Sequence, residues 1–150
     1  MTELRFYHLV TRTLEQALPD LLERTLERGW RAVVVAGSKE RVEALDKHLW
    51  TYGKMSFLPH GTAADGMAAE QPIWLTDHVE NPNGASVLFL ADGATLSGQA
   101  GDWELICDLF DGNDDSAVAA ARKRWAAARD SGFELAYWQQ GENGKWEQKQ

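Results

Sequence analysis

Cysteine is almost missing from this 150-residue chain; Cys107 is the sole one. A single thiol excludes a disulfide scaffold and fits a reducing compartment. Cys107 lies in the apolar-rich run Trp103–Phe110, so a buried, inert thiol is expected. Long hydrophobic runs are lacking too, and none approaches the ~20 residues that a bilayer-spanning helix needs. The opening Met1-Thr2-Glu3-Leu4-Arg5 has no basic stretch followed by an apolar one, which argues against a secretory signal. The expectation is a cytoplasmic protein with no membrane partner. Positive charge is also scarce: 15 Lys and Arg stand against 23 Asp and Glu, a formal net charge of -8. Such a surface repels phosphate backbones at long range, so direct nucleic-acid binding is not expected.

Catalytic signatures are equally sparse. The spacings G-x-x-x-x-G-K-[ST], G-x-G-x-x-G and G-x-S-x-G do not occur. His8, His48, His60 and His78 form no paired ligand spacing, so neither a metal nor another cofactor is expected. Asp108, Asp111, Asp114 and Asp115 miss the calcium-loop pattern and read as a solvated acidic loop. The turn Gly37-Ser38-Lys39 sits where phosphate loops sit, between a strand and a helix. Gly37 as a tight turn and Ser38 as an N-cap explain it more simply. A nucleotide-binding α/β enzyme using this turn remains the enzymatic alternative, and a direct single-stranded DNA binder is the other.

What is present is an ordinary apolar fraction, 44%, and an unusual seven Trp. The length suits one domain, residues 1–140, followed by a polar tail, 141–150, that carries Trp146. Leu4–Val10 reads as a strand and Thr13–Arg28 as a helix opened by a Thr13/Gln16 capping box and stopped by Gly29. Pro19 interrupts that helix, so a kink there or a start near Leu18 is expected. Trp30–Ala36, with Val33-Val34-Val35 at its centre, has the character of a buried parallel strand. A helix from Ser38 to Tyr52 follows. Pro72–Thr76, Ser86–Ala91 and Trp103–Phe110 read as strands, Ser116–Asp130 as a helix, and Phe133–Trp138 as a last strand. This order implies an α/β fold: a three-layer sandwich with a mostly parallel or mixed sheet flanked by helices and no phosphate-binding loop.

Two aromatic features stand out. In the second helix Val42, Leu45 and Leu49 share a face, while Trp50 lies about 100° round from Leu49. Trp50 is therefore either covered by a later part of the chain or offered to a partner. In the late helix Arg122, Trp125 and Arg129 fall at i, i+3 and i+7, with Arg124 among them. An indole between guanidinium groups suits a ligand that joins a carboxylate to an aromatic or apolar end. The competing account is a solvated face, with Trp125 in the core and an Arg paired to the acidic loop before it.

These residues carry a resemblance. Phe6-Tyr7-His8-Leu9, Gly29-Trp30-Arg31-Ala32-Val33-Val34, Leu45-Asp46 with Leu49-Trp50, Ser56-Phe57-Leu58-Pro59-His60, Gln71-Pro72-Ile73, Phe110-Asp111-Gly112 and Ala121-Arg122 through Trp125 to Gly132-Phe133 resemble the chi subunit family of bacterial DNA polymerase III holoenzyme. The resemblance implies a non-catalytic clamp-loader accessory in DNA replication, cytoplasmic, and a monomer or a heterodimer with the psi subunit. It implies psi contacts at Trp50 and Phe57. It further implies that Arg122, Arg124, Trp125 and Arg129 bind the acidic C-terminal tail of single-stranded DNA-binding protein, which ends in a Phe carboxylate. Val118 and Ala126 replace Lys found in a family member, which makes this patch less basic.

Overall fold

The computed structural model describes residues 2–51, 59–95, 103–143 and 145–150. The chain runs β1 (Glu3–Leu9), α1 (Leu14–Glu27), β2 (Ala32–Val35), α2 (Lys39–Thr51), a single 3-10 turn (Ala68–Glu70), β3 (Ile73–Thr76), β4 (Val87–Leu90), β5 (Leu105–Asp111), α3 (Asp115–Asp130), β6 (Glu134–Gln140) and β7 (Trp146–Gln148). The strands form one sheet in the order β3-β2-β4-β5-β1-β6-β7. Every pairing is parallel except the antiparallel pair β6/β7. The α/β architecture is therefore as expected.

Strand alternation sorts the core onto the two faces of the sheet. Val34, Phe89, Tyr7, Leu9, Cys107 and Leu109 pack with Leu18 and Leu22 of α1 and with Val42, Leu45 and Leu49 of α2. Val33, Val35, Phe6, Ile106 and Phe110 pack with Ala121 and Ala128 of α3. Helices thus cover both faces, which is why β2 to β5 are buried nearly throughout.

Several local expectations change. Helix α1 begins at Leu14 behind its capping box and continues through Pro19. Proline cannot donate to the carbonyl four residues back, which leaves the Glu15 oxygen without its helical partner. A ring nitrogen of His48, from α2, hydrogen-bonds that oxygen. The helix tolerates Pro19 because a neighbouring helix supplies the missing donor. Asp108 is no part of a solvated loop: it lies in β5 at 3% exposure. The polar segment 141–150 contributes β7, anchored by Trp146, whose ring meets Tyr7 edge-on at 4.9 Å and packs on the core.

Adjacent strands β1 and β5 send their chains to opposite faces, β1 into α1 and β5 into α3. A crevice forms at their carboxyl ends, as such topology requires. Its volume is about 680 Å³.

Candidate functional site

Helix α3 opens behind Asp114, whose carboxylate accepts from the backbone N–H groups of Ser116 and Ala117 at 3.0 and 3.3 Å. Ala121 and Ala128 face the sheet, and their short side chains let the helix approach it closely. Residues 124 and 125 follow Ala121 by three and four positions, so both side chains straddle this inward stripe. Trp125 lays its indole edge-on against Phe6 at 5.4 Å and against Tyr137 at 5.8 Å. It is half-buried rather than sealed.

A cavity of about 250 Å³ lies beside it, lined by Phe110, Val118, Ala121, Trp125 and Tyr137, with Arg122 and Gln150 completing it. Its lining is apolar and aromatic apart from Arg122, Gln150 and the Tyr137 hydroxyl. Arg122 is exposed, and among the described residues no carboxylate lies within ion-pair distance of it. The site therefore combines an uncommitted guanidinium with a pocket for an apolar group. Arg122 and Trp125 come together as the helical spacing predicts.

The other two cations do not join them. Arg124 lies about 200° round the helix from Arg122 and turns its fork onto Asp108, with Nε to Oδ2 at 2.6 Å and Nη2 to Oδ1 at 3.0 Å. The two side chains are 16% and 4% exposed. Burial pushes the Asp108 carboxyl above its ordinary value, and the Arg124 guanidinium opposes that shift. The Arg124 donors are thus spent on Asp108 within β5, and not on the acidic loop that the competing sequence reading named. Arg129 is exposed, 3.9 Å from Asp130, and does not line the cavity.

Three residues at or beside the cavity escaped the sequence reading: Phe110, Tyr137 and His8. Ile106, Asp108 and Phe110 alternate onto the α3 face of β5, as Phe133, Leu135 and Tyr137 do around β6. Period-two alternation signals this, but only once α3 is known to cover that face. Tyr137 Oη lies 2.5 Å from His8 Nδ1. The other side of the His8 ring lies against the Gly112 backbone. Gly112 has no Cβ, and one placed there would fall 2.2 Å from His8 Nε2, so only glycine admits the ring. Partial burial lowers the His8 pKa, the Gly112 backbone opposes this, and the Arg122 charge lowers it further. Burial raises the Tyr137 pKa against the same Arg122 charge.

On the other helical layer, Val42, Leu45 and Leu49 bury one face of α2, and Trp50 stays 51% exposed. His60 tilts against the indole at 4.3 Å. Its Nε2 lies 3.2 Å from the Asp46 carbonyl oxygen. The later chain supports the Trp50 ring and leaves about half of it in solvent. Phe57 lies outside the described residues.

The larger crevice does not suit a phosphate. Its Arg41 is bound to Glu15 at 2.8 Å and to Asp92 at 3.0 Å. Arg12 pairs with Asp20, and Arg124 with Asp108. Asp92 accepts from Gly37 N–H at 3.3 Å and so occupies the turn where an anion would sit. Ser38 caps α2 through Arg41 N–H at 3.2 Å. Asp111 and Asp114 add further negative charge. Burial raises the Cys107 thiol to about 12, which leaves it protonated. No helix among the described residues is long and apolar enough to cross a membrane.

Residues 1–136 match the family described as DNA polymerase III chi subunit, HolC. A curated relative, "Probable DNA polymerase III subunit chi" of Rickettsia prowazekii (strain Madrid E), is 36% identical over 90 residues. That match covers 60% of this chain and 54% of the relative, so it spans about half of the relative's length.

Proposed function

The chain belongs to the DNA polymerase III chi subunit family, which places it in DNA replication, and on that premise we propose that it is a non-catalytic adaptor. It receives the acidic C-terminal tail of single-stranded DNA-binding protein in the cavity beneath α3. Through the α2 surface bearing Trp50, together with Phe57, it binds a psi subunit that tethers it to the clamp loader. The observation that carries this reading is the cavity of about 250 Å³ whose aromatic lining adjoins the uncommitted Arg122. Arg122 receives the terminal carboxylate, Trp125 and Tyr137 embrace the Phe ring, and Arg129 lies further along α3 for the acidic residues upstream. Arg124 supports the site from below through Asp108 and makes no tail contact.

Charge explains why the ligand is a peptide end and not DNA. A chain of net charge -8 repels a polyanion over its whole surface, whereas one carboxylate at Arg122 meets a local positive field. Exposed charges are screened beyond ~10 Å at 0.1 M salt, so docking weakens as salt rises.

The test is a pull-down of this chain with the immobilised tail peptide, with and without its last Phe. Capture that depends on the Phe supports the reading. Equal capture by both peptides, or capture by neither, overturns it. Bare single-stranded DNA in a gel shift separates the adaptor from the direct DNA binder, and a shift at low protein concentration would favour the latter.

A further inference from the structure

We propose that Tyr137 is a second carboxylate-binding group of the Arg122 cavity, held by His8, so that docking of an anionic chain end is coupled to uptake of one proton by His8. This rests on the tail-docking reading above. It adds a specificity-determining hydroxyl and a pH dependence to the same site.

The geometry starts from β1. His8 points to the α3 face, with its ring 5.0 Å from Phe110 and 5.9 Å from Tyr137. The Nε2 edge of the ring lies against Gly112, where the missing Cβ leaves space, and the ring proton of the neutral form is assigned to that nitrogen. In the neutral imidazole that makes Nδ1 the acceptor. The Tyr137 O–H then donates to Nδ1 across 2.5 Å. The hydroxyl proton is thus turned away from the cavity that Tyr137 lines.

Among the described residues, the charged and titratable groups on the face that carries His8 include Tyr137, Arg122 and the Asp108–Arg124 pair, whose charges are closed on each other. Tyr137 faces it from β6 and Arg122 acts on it from α3. From β5 it meets Phe110, while Asp111 is the register partner of Leu9 and alternates to the other face. On its own strand Tyr7 and Leu9 belong to the opposite core. The Arg122 charge is felt at both His8 and Tyr137, so an anion that neutralises Arg122 acts on both.

Burial is the main force against the His8 cation and the Arg122 charge adds to it; a carboxylate on Arg122 offsets that added repulsion and attracts the cation. His8 Nδ1 takes one proton from solvent. Nδ1–H then donates to the Tyr137 oxygen, and the Tyr137 O–H is released to donate to the carboxylate. One proton enters, one hydrogen bond reverses direction, and one new bond to the ligand forms. The bound anion gains a neutral donor beside the guanidinium and a cation behind it. By reciprocity, whatever protonates His8 tightens the ligand. Each unit by which the ligand raises the His8 pKa tightens binding by up to about tenfold at the acid end.

The experiment is calorimetric titration of the full chain with an acidic peptide ending in Phe, at pH 6.0 and 8.0, in buffers of different ionisation enthalpy. The wild type is expected to bind several-fold more tightly at the lower pH, with net uptake of a fraction of a proton. Tyr137→Phe keeps the ring and removes only the hydroxyl; it is expected to weaken binding at pH 6.0 and reduce proton uptake. His8→Gln is expected to abolish both the proton uptake and the pH dependence. NMR titration of the His8 ring, free and with peptide, reads the same coupling directly as an upward shift on binding. Binding that is flat with pH and takes up no proton, or a pH dependence that survives His8→Gln, overturns this inference and leaves the docking reading standing. No binding at either pH removes both.

Discussion

Truncating Asp108 tests how the site is built. Asp108→Ala leaves the Arg124 guanidinium, 16% exposed, without its two carboxylate bonds at 2.6 and 3.0 Å. Stranding one member of a buried ion pair costs roughly 3–5 kcal/mol. A domain with about 5–15 kcal/mol in total loses roughly a fifth or more of its stability. At about 2–4 °C per kcal/mol for this size, the melting temperature falls by on the order of 6–20 °C. The assay is urea denaturation followed by circular dichroism, run as a double-mutant cycle. Asp108→Leu with Arg124→Met replaces both charges by apolar groups and is expected to recover most of the loss, because the pair's Coulombic gain is largely cancelled by its desolvation. The same double variant is expected to keep its affinity for the tail peptide. A loss below ~1 kcal/mol for Asp108→Ala, the scale of an exposed pair, would refute the buried-pair reasoning. Lost peptide binding in the double variant would return Arg124 to the docking surface.

Other consequences are as direct. His48→Ala strands the Glu15 carbonyl that Pro19 leaves open, at about 1–3 kcal/mol; in a Pro19→Ala background, where an amide at residue 19 can take over, the cost is expected to be smaller, and equal costs in urea denaturation would disprove the compensation. Because His8 has a lowered pKa in the fold, its contribution is fully present above the unfolded value near 6.5 and is lost as pH falls through the lower folded value. Unfolding midpoints should thus drop from pH 7 towards acid less steeply in His8→Gln than in the wild type. Trp50→Ala is expected to release a co-expressed psi subunit without altering the circular dichroism spectrum, since the indole is 51% exposed; retained co-purification would detach Trp50 from that surface.

The architecture was legible because its signals are local. Val33-Val34-Val35, the Thr13/Gln16 box and the turn after Arg28 each act through neighbouring residues, and the strand-helix alternation then leaves little freedom in topology. That α1 runs from Leu14 through Pro19 was not legible, because the missing donor comes from His48 on another helix, which no spacing within α1 reveals. The pairing of Asp108 with Arg124 was not legible for a related reason. Each looks like a surface charge on its own element, and they become a pair only when α3 crosses β5. Helical phase carries a trace of the pair, since Arg124 stands three residues after Ala121 and four before Ala128, the buried residues of α3. The Arg122–Trp125 pairing was visible from helical spacing, whereas the walls supplied by Phe110, Tyr137 and Gln150 needed the sheet order. β7 escaped because its Trp146 is a lone aromatic in a polar segment, and only its contact with Tyr7 reveals it as an anchor.

The most direct measurement is the affinity of Arg122→Ala for the Phe-ended tail peptide by calorimetry at low salt, beside the wild type. Removing the uncommitted guanidinium from the rim of an apolar cavity should cost about 2 kcal/mol, roughly 30-fold in Kd, with urea stability unchanged because the side chain is exposed. An affinity within twofold of the wild type would contradict the account.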